Sequence, residues 1–178
     1  MPVDIRVHLQ NDNYPAAVQR RRLVWALLGT LFHLSPRPCY GWRNFLLRAA
    51  GARVGSGVKI YPATKIMFPW NLVIADDVVI GDANLYALAQ IKISANVLIS
   101  QGAHLCAGSH DHRQPNFPLI LRPITIQSGV WLAAECFIGP GVTVGSGAVV
   151  GARAVVMRDV PPGAVMVGNP ARAVTASV

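Results

Sequence analysis

A branched aliphatic residue returns at every sixth position between residues 126 and 160, and small residues fill most of the places between. Helices repeat about every 3.6 residues and strands every 2 residues, so neither element alone accounts for this spacing. A sustained six-residue repeat is typical of a parallel β-helix, in which each repeat forms one short side of a coil. The aliphatic positions in this stretch are Ile126, Leu132, Ile138, Val144, Val150 and Val156.

The same spacing continues toward the N-terminus in sets of three, and the gaps between the sets are irregular. Three equal sides per turn, with all insertions at one corner, predict a triangular prism of about five coils that is roughly 24 Å long at one strand spacing per coil. The predicted inward positions are Val54, Ile60 and Ile66, then Ile74, Ile80 and Tyr86, then Ile93, Ile99 and Leu105. The sequence therefore predicts an all-β solenoid.

The chain divides into three regions around this solenoid. Residues 1–51 are predicted to form an N-terminal arm and two short helices, and residues 52–168 form the β-helix. An extended loop at residues 111–123 leaves one corner of the β-helix, and residues 169–178 form a C-terminal tail. A loop of this length inside a tight solenoid is usually functional.

The first predicted helix places three consecutive arginines, residues 20–22, directly before a strongly apolar segment, residues 23–34. The segment is well below the ~20 residues that are needed to cross a bilayer. It either packs against the prism or lies in a membrane surface behind its arginines, as a peripheral contact at the inner face of the cell membrane. Packing is the simpler interpretation.

The net charge and the cysteines indicate which binding partners and which cellular location to expect. The formal net charge is +8, but no run of lysine or arginine with interleaved aromatic residues occurs, so nucleic-acid binding is not predicted. A phosphorylated cofactor is the more specific explanation for the charge. The three cysteines, Cys39, Cys106 and Cys136, have no paired spacing and no secretory leader is expected before them, which favours a cytoplasmic location.

His110 is the best candidate for a catalytic base, because it directly precedes the long loop and a neutral imidazole can accept a proton near pH 7. Asp111 either orients this imidazole or serves as a turn residue of the loop. Asn71 holds the equivalent place two coils earlier, so it should face the same groove. His104 and His112 are expected at other positions, so no metal site is predicted with His110, since a metal needs three or four converging ligands.

Two alanines in the last coils predict a binding slot. Ala134 and Ala152 are one full coil apart and should stack on one face, which leaves a shallow channel without side chains. Arg158 and Arg172 follow it. A slot that leads to guanidinium groups suits a thin molecule that ends in phosphates, because arginine pairs with phosphate oxygens in forks.

Several segments resemble the hexapeptide-repeat acyltransferases, and the resemblance covers nearly the whole chain. At the superfamily level these are Pro-Ile-Thr-Ile-Gln-Ser-Gly-Val-Trp-Leu (123–132), Pro-Gly-Val-Thr-Val-Gly-Ser-Gly-Ala-Val-Val-Gly-Ala (140–152) and Val-Gly-Asn-Pro-Ala-Arg (167–172). Segments 45–55, 69–72, 99–111 and 117–120 are similar to the branch of sugar O-acetyltransferases that act in colanic acid biosynthesis. The resemblance implies a left-handed β-helix, an exception to the right-handed crossover rule.

The resemblance also implies an activity, an assembly and roles for individual residues. It implies transfer of an acetyl group from acetyl-CoA to a sugar hydroxyl in surface polysaccharide biosynthesis, without a metal, by a homotrimer with its active sites between neighbouring prisms. His110 corresponds to the catalytic histidine of the family, and Asp111 is counted with it as the neighbour that could orient the imidazole. The residues implied to contact acetyl-CoA are Trp131, Ala134, Ala152, Arg158 and Arg172, and those expected near the acceptor are Asn71, Tyr86 and Phe117.

Three other functions stay open from the sequence. The acceptor could be an amine, as on an amino sugar, or another small hydroxyl compound such as serine. A metal-dependent enzyme of the carbonic anhydrase type is known on the same fold. A non-catalytic solenoid scaffold would bind no CoA at all.

Overall fold

The computed structural model of the chain describes residues 14–114 and 116–174. Two helices precede the solenoid: α1 spans Ala16–His33 and α2 spans Tyr40–Ala49. Helix α1 begins after Pro15, whose carbonyl oxygen accepts hydrogen bonds from the backbone N–H groups of Val18 and Gln19. The predicted N-terminal arm, up to residue 13, and the last four residues of the predicted tail lie outside the described residues.

Short parallel strands of two or three residues follow and stack on the three sides of a prism. The first side holds β1 (Arg53–Val54), β4 (Leu72–Ile74), β7 (Ile91–Ile93), β12 (Ile124–Ile126) and β15 (Thr143–Val144). The second side holds β2 (Lys59–Ile60), β5 (Val79–Ile80), β8 (Leu98–Ile99), β13 (Trp131–Leu132), β16 (Val149–Val150) and β18 (Val165–Val167), followed by the antiparallel β19 (Arg172–Val174). The third side holds β3 (Lys65–Met67), β6 (Asn84–Tyr86), β9 (His104–Cys106), β14 (Phe137–Ile138) and β17 (Val155–Val156).

The solenoid thus has five complete coils and the start of a sixth, in which Val160 pairs with Val144 and β18 pairs with β16. Each side contributes at least one inward aliphatic residue per coil, and these stack in register, as Ile126 does on Val144. The six predicted positions from Ile126 to Val156 are all at most 1% exposed. The predicted parallel β-helix is confirmed. Truncating one of the stacked leucine or isoleucine residues to alanine would lower the free energy of unfolding by about 2–5 kcal/mol.

One predicted inward position is wrong. Leu85, and not Tyr86, fills the third side of the second coil, where it is fully buried between Ile66 and Leu105. The corner before β6 is one residue shorter than the others, since the Ala83 N–H donates directly back to the Gly81 carbonyl oxygen at 2.7 Å. Tyr86 therefore points outward and is only half-buried.

The two helices close the N-terminal end of the prism. Phe32 of α1 and Leu46 and Leu47 of α2 are at most 2% exposed. The indole Nε1 of Trp25 donates to the Ile66 carbonyl oxygen at 2.9 Å, which joins α1 to the first coil. The helices therefore cover an edge that would otherwise present unpaired strands. Neither helix in the described part of the chain is long and apolar enough to cross a membrane.

The predicted loop at residues 111–123 is built on a β-hairpin at the corner between the third and first sides. Strand β10 (Gly108–His110) pairs antiparallel with β11 (Leu119–Leu121), so that His110 lies opposite Leu119. We call residues 108–121 the corner hairpin. Gly108 lets its start pass close to the preceding coil, because a Cβ there would lie 2.5 Å from the Leu88 Cδ1 atom and would force that side chain to shift.

Candidate active site

His110 ends β10, at the point where the corner hairpin leaves the prism. Its Nδ1 atom lies 3.0 Å from the Phe117 carbonyl oxygen. The imidazole also stacks on the Phe117 ring, with the two centroids 4.6 Å apart and the planes 3° from parallel. A carbonyl oxygen only accepts hydrogen bonds, so Nδ1 carries the proton and Nε2 carries the lone pair. This is the tautomer that a general base requires.

The backbone of Phe117 is shaped to make this contact. Phe117 has a φ of 45°, in the left-handed region that few non-glycine residues adopt. Its N–H donates to the Gln114 carbonyl oxygen at 3.0 Å, and the Asp111 N–H donates to the Pro118 carbonyl oxygen at 2.9 Å. These bonds close the turn of the corner hairpin and aim the Phe117 carbonyl at the imidazole.

The Asp111 carboxylate bonds within the loop. It accepts hydrogen bonds from the Arg113 backbone N–H and from the Gln114 side-chain amide, both at 3.0 Å. The first of these bonds is the main cause that lowers the pKa of Asp111, with the second next. The described contacts of Asp111 thus match the turn role that the sequence left open, whereas the carbonyl of Phe117 orients His110.

Asn71 lies at the same corner as His110, two coils earlier, at the end of a short 3-10 helix (Pro69–Asn71). Its side-chain nitrogen donates to the carbonyl oxygens of Ala87 and Leu88, at 2.8 and 3.0 Å. The amide group therefore ties two successive coils together. Whether its remaining oxygen also contacts an acceptor stays a prediction.

Tyr86 lines a groove of about 480 Å³ on the outer face of the third side, together with Lys65, Asn84, His104 and Cys106. Burial raises the pKa of Tyr86 and lowers that of His104. The His104 Nε2 atom is buried without a hydrogen-bond partner among the described residues. The sequence predicted Tyr86 at this site but not Lys65 or Asn84. Their positions could have identified them, because each directly precedes an inward residue, Ile66 or Leu85, and therefore points outward.

Cys106 is half-buried, and its Sγ atom lies 3.1 Å from the Gly108 carbonyl oxygen, so the groove ends next to the corner hairpin. Cys136, by contrast, is fully buried in the core, and burial raises its pKa to about 12. A thiol with so high a pKa is not a nucleophile at neutral pH. No group of three or more His, Cys, Asp or Glu residues that could hold a metal ion occurs within 14–114 and 116–174.

Ala134 and Ala152 stack one above the other at the corner between the second and third sides, where the Arg153 N–H donates to the Ala134 carbonyl oxygen at 2.9 Å. An exposed ion pair between Arg153 and Glu135, at 2.6 Å, lies beside them and lowers the pKa of Glu135. Trp131 is 46% exposed, and its indole Nε1 donates to the Ser100 hydroxyl at 3.1 Å. The indole is thereby fixed close to the alanine corner.

Arg158 and Arg172 line one groove of about 580 Å³ at the C-terminal end of the prism. Both side chains are exposed, Arg158 after β17 and Arg172 at the start of β19. Met157 also lines this groove, and its Sδ atom lies so close above Gly139 that a Cβ there would approach it to 2.6 Å. The fold therefore places both arginines along the same groove.

One chain does not place all the predicted residues on one corner. His110 lies at the corner between the third and first sides, because it follows β9 and precedes β12. Ala134 and Ala152 lie at the corner between the second and third sides. The full width of the third side therefore separates the candidate base from the alanine slot within a single prism.

Comparisons with solved structures identify the class of protein. A maltose O-acetyltransferase from Clostridium difficile superposes on 90% of this chain and 88% of its own, with a TM-score of 0.82 and 25% sequence identity. A hexapeptide-repeat-containing acetyltransferase of Vibrio cholerae, complexed with acetyl coenzyme A, matches 92% of this chain and 91% of its own, with a TM-score of 0.75 and 28% identity. The fold is that of the left-handed β-helix acetyltransferases.

A sequence comparison narrows the family. The putative colanic acid biosynthesis acetyltransferase WcaF of Escherichia coli is 47% identical over 151 residues, which are 84% of this chain and 83% of that protein. The chain therefore belongs to the hexapeptide-repeat acetyltransferases and is a homologue of WcaF. No family model matches the sequence. The resemblance to the hexapeptide-repeat acyltransferases is confirmed. The predicted left-handed β-helix and the predicted acetyltransferase class are confirmed as well.

Proposed function

We propose that this acetyltransferase transfers an acetyl group from acetyl-CoA to a hydroxyl group of a sugar, in a precursor of a surface polysaccharide, with His110 as the general base. The observation that carries the proposal is the hydrogen bond from His110 Nδ1 to the Phe117 carbonyl oxygen. The relative WcaF is a putative acetyltransferase of colanic acid biosynthesis, which supports a sugar acceptor of this kind. Maltose O-acetyltransferase among the structural relatives supports oxygen as the acceptor atom.

The chemistry follows from the tautomer of His110. Its Nε2 atom accepts the proton of the acceptor hydroxyl while that oxygen attacks the thioester carbonyl carbon. When the tetrahedral intermediate collapses, the C–S bond breaks, and the imidazolium returns its proton to the departing CoA sulfur. The Phe117 carbonyl stabilises the imidazolium between these steps, because a hydrogen bond from a charged donor is stronger than one from a neutral donor. General-base assistance of this kind is worth about 10²–10⁴-fold in rate.

The donor would lie along the alanine slot and the groove of Arg158 and Arg172. Ala134 and Ala152 leave room for a thin chain, and the two guanidinium groups suit phosphate oxygens. Acetyl-CoA as donor is supported by the Vibrio cholerae relative, which was solved with that compound. Trp131, whose indole is held by Ser100 near this corner, would contact the acyl end.

The acceptor would lie in the groove of Tyr86. Asn84, Lys65 and His104 offer hydrogen-bonding groups along one wall, and Tyr86 offers an aromatic ring. Sugars present both hydroxyl groups and apolar C–H faces, so this mixture suits them. Phe117 and Asn71 would border the acceptor from the side of the corner hairpin.

A homotrimer would complete the site. His110 and the alanine slot lie on different corners of one prism. A complete active site would therefore combine His110 of one subunit with the alanine slot of a neighbouring subunit. Three prisms in a closed ring would form three equal clefts of this kind. The cysteines among the described residues are free thiols, which supports a cytoplasmic location for the assembly.

The test is the substitution His110→Ala, assayed with acetyl-CoA and sugar acceptors that carry either a hydroxyl or an amino group. We expect kcat to fall about 10²–10⁴-fold, with the dissociation constant of CoA and the oligomer mass unchanged. Transfer to hydroxyl acceptors only would separate O-acetylation from the amine alternative. Full activity in the variant would exclude His110 as the base, and absence of CoA binding in the wild type would exclude the enzyme hypothesis.

A further inference from the structure

Helix α1 carries a row of exposed apolar side chains on the side that faces away from the prism. Leu23, Leu27 and Leu34 are 70%, 75% and 78% exposed, and Val24 and Leu31 are 52% and 50% exposed. The positions are three, four or seven apart, which places them on one face of a helix and its final turn. We call these five residues the outward stripe.

The outward stripe has no packing role within the described chain. Helix α1 already uses its opposite face for packing, where Gly29 and Phe32 are buried and Trp25 packs against the core. A helix that only covered a prism would carry polar residues on its outer face. Contiguous exposed apolar side chains of this kind mark a surface that contacts something else.

Helix α2 adds two large exposed aromatic side chains. Trp42 is 44% and Phe45 57% exposed, and their rings stack at 5.8 Å between centroids. Tryptophan is enriched at membrane interfaces, where its ring contacts the acyl region and its N–H stays hydrated. The same N-terminal cap of the molecule therefore presents both leucines and aromatic rings.

The charge of this cap is uniformly positive. Residues 14–51, which hold both helices, contain six arginines and no lysine, aspartate or glutamate. Arg20 lies on the outward stripe itself, three residues before Leu23 and four before Val24. Arg21 and Arg22 lie beside it, over the rings of Trp70 and Phe68 at 5.5 and 6.0 Å. A face that is both apolar and cationic is complementary to an apolar layer with anionic head groups.

We propose that the outward stripe docks the enzyme onto the surface of a bilayer that contains anionic phospholipid, with α1 lying in the plane of the interface. The helix is not long and apolar enough to span the bilayer. A second copy of the same face is a poorer partner, because apposing two such caps brings like charges together. The inference is independent of the acetyl-transfer proposal, since it rests on residues outside the candidate active site.

The experiment is sedimentation of the full chain with vesicles of phosphatidylcholine alone and of phosphatidylcholine mixed with phosphatidylglycerol. We expect binding to the mixed vesicles only, and weaker binding at about 1 M than at about 0.1 M salt, because salt screens the charge term. The stripe variant, Leu23→Ser with Leu27→Ser, should bind at least about a hundredfold more weakly, since each of the two buried leucines is worth about a factor of ten or more. Replacing Arg20 by Gln should weaken binding about fivefold.

The matched control is Leu121→Ser with Val174→Ser, which removes apolar side chains that are 52% and 42% exposed elsewhere on the molecule. This variant should bind vesicles as the wild type does, and the melting temperature of each variant reports whether it is folded. Equal binding by the stripe variant and the wild type, or absence of wild-type binding to anionic vesicles, would overturn the proposal. A lower oligomer mass in the stripe variant would also overturn it, by assigning the outward stripe to a contact between copies.

Discussion

His110 and Asp111 are neighbours in sequence, but their side chains have different surroundings. The imidazole faces the Phe117 carbonyl and ring, whereas the carboxylate caps the turn at Arg113 and Gln114. The pKa of Asp111 is lowered in the folded state. Its stabilising contribution is therefore present above the ordinary pKa of aspartate, about 3.9, and is lost as the pH falls through the lowered value.

The substitution Asp111→Ala separates these two roles. It removes both loop hydrogen bonds, so we expect trypsin to cleave after Arg113 several-fold faster, while kcat falls less than about tenfold because His110 keeps its carbonyl partner. His112→Ala, in the same loop, is the control and should change neither quantity appreciably. A loss of activity equal to that of His110→Ala, with unchanged cleavage, would instead identify Asp111 as the residue that orients the base.

Among the secondary-structure elements, the positions that follow the six-residue repeat were predicted from the sequence, whereas the local structure at the corners of the prism was not. The six-residue spacing located the inward stacks, because each side of the prism obeys the same alternation of inward and outward residues. It wrongly placed Tyr86 in the core. The corner near Gly81 is one residue shorter than the repeat predicts, and only the structure, in which Leu85 stacks on Leu105, shows this. The sequence pointed to His110 as a candidate base but not to the Phe117 carbonyl, because the contact between them exists only once the corner hairpin closes.

The cap formed by α1 and α2 depends on Arg43, which is fully buried. Its Nε donates to the Ile60 carbonyl oxygen at 2.6 Å, and Nη1 donates to Ser35 Oγ and the Pro36 carbonyl oxygen, both at 2.8 Å. Burial lowers the pKa of this guanidinium. One side chain thus joins α2, the connection between the helices and the first coil.

Replacing Arg43 with Met would leave several buried acceptors without donors. We expect the free energy of unfolding to fall by about 2–4 kcal/mol, since each unsatisfied buried group costs about 1–3 kcal/mol, as measured by chemical denaturation. Arg48→Met is the matched control, because Arg48 bonds to the Val54 and Gly55 carbonyl oxygens on the same helix but is exposed. Its effect should stay below about 1 kcal/mol. Similar losses for both variants would show that the buried position of Arg43 has no special role.

For the whole molecule, the separation between His110 and the alanine slot has a consequence for assembly. If each active site takes its base from one subunit and its slot from a neighbour, two different inactive chains can complement each other. His110→Ala removes the base, and Ala152→Trp fills the slot with an indole at an exposed position that has space for it in the monomer. In the proposed homotrimer, each variant alone would assemble without a functional site.

Mixed trimers formed from equal amounts of the two chains should regain activity. With random assortment, about a quarter of the clefts combine an intact base with an intact slot from the next subunit, so we expect about a quarter of the wild-type rate per site. Native mass spectrometry would verify that mixed trimers have formed, and each variant exchanged with itself is the control. If the mixed trimers stay inactive, base and slot belong to the same subunit, because a site drawn from one chain always retains one of the two defects.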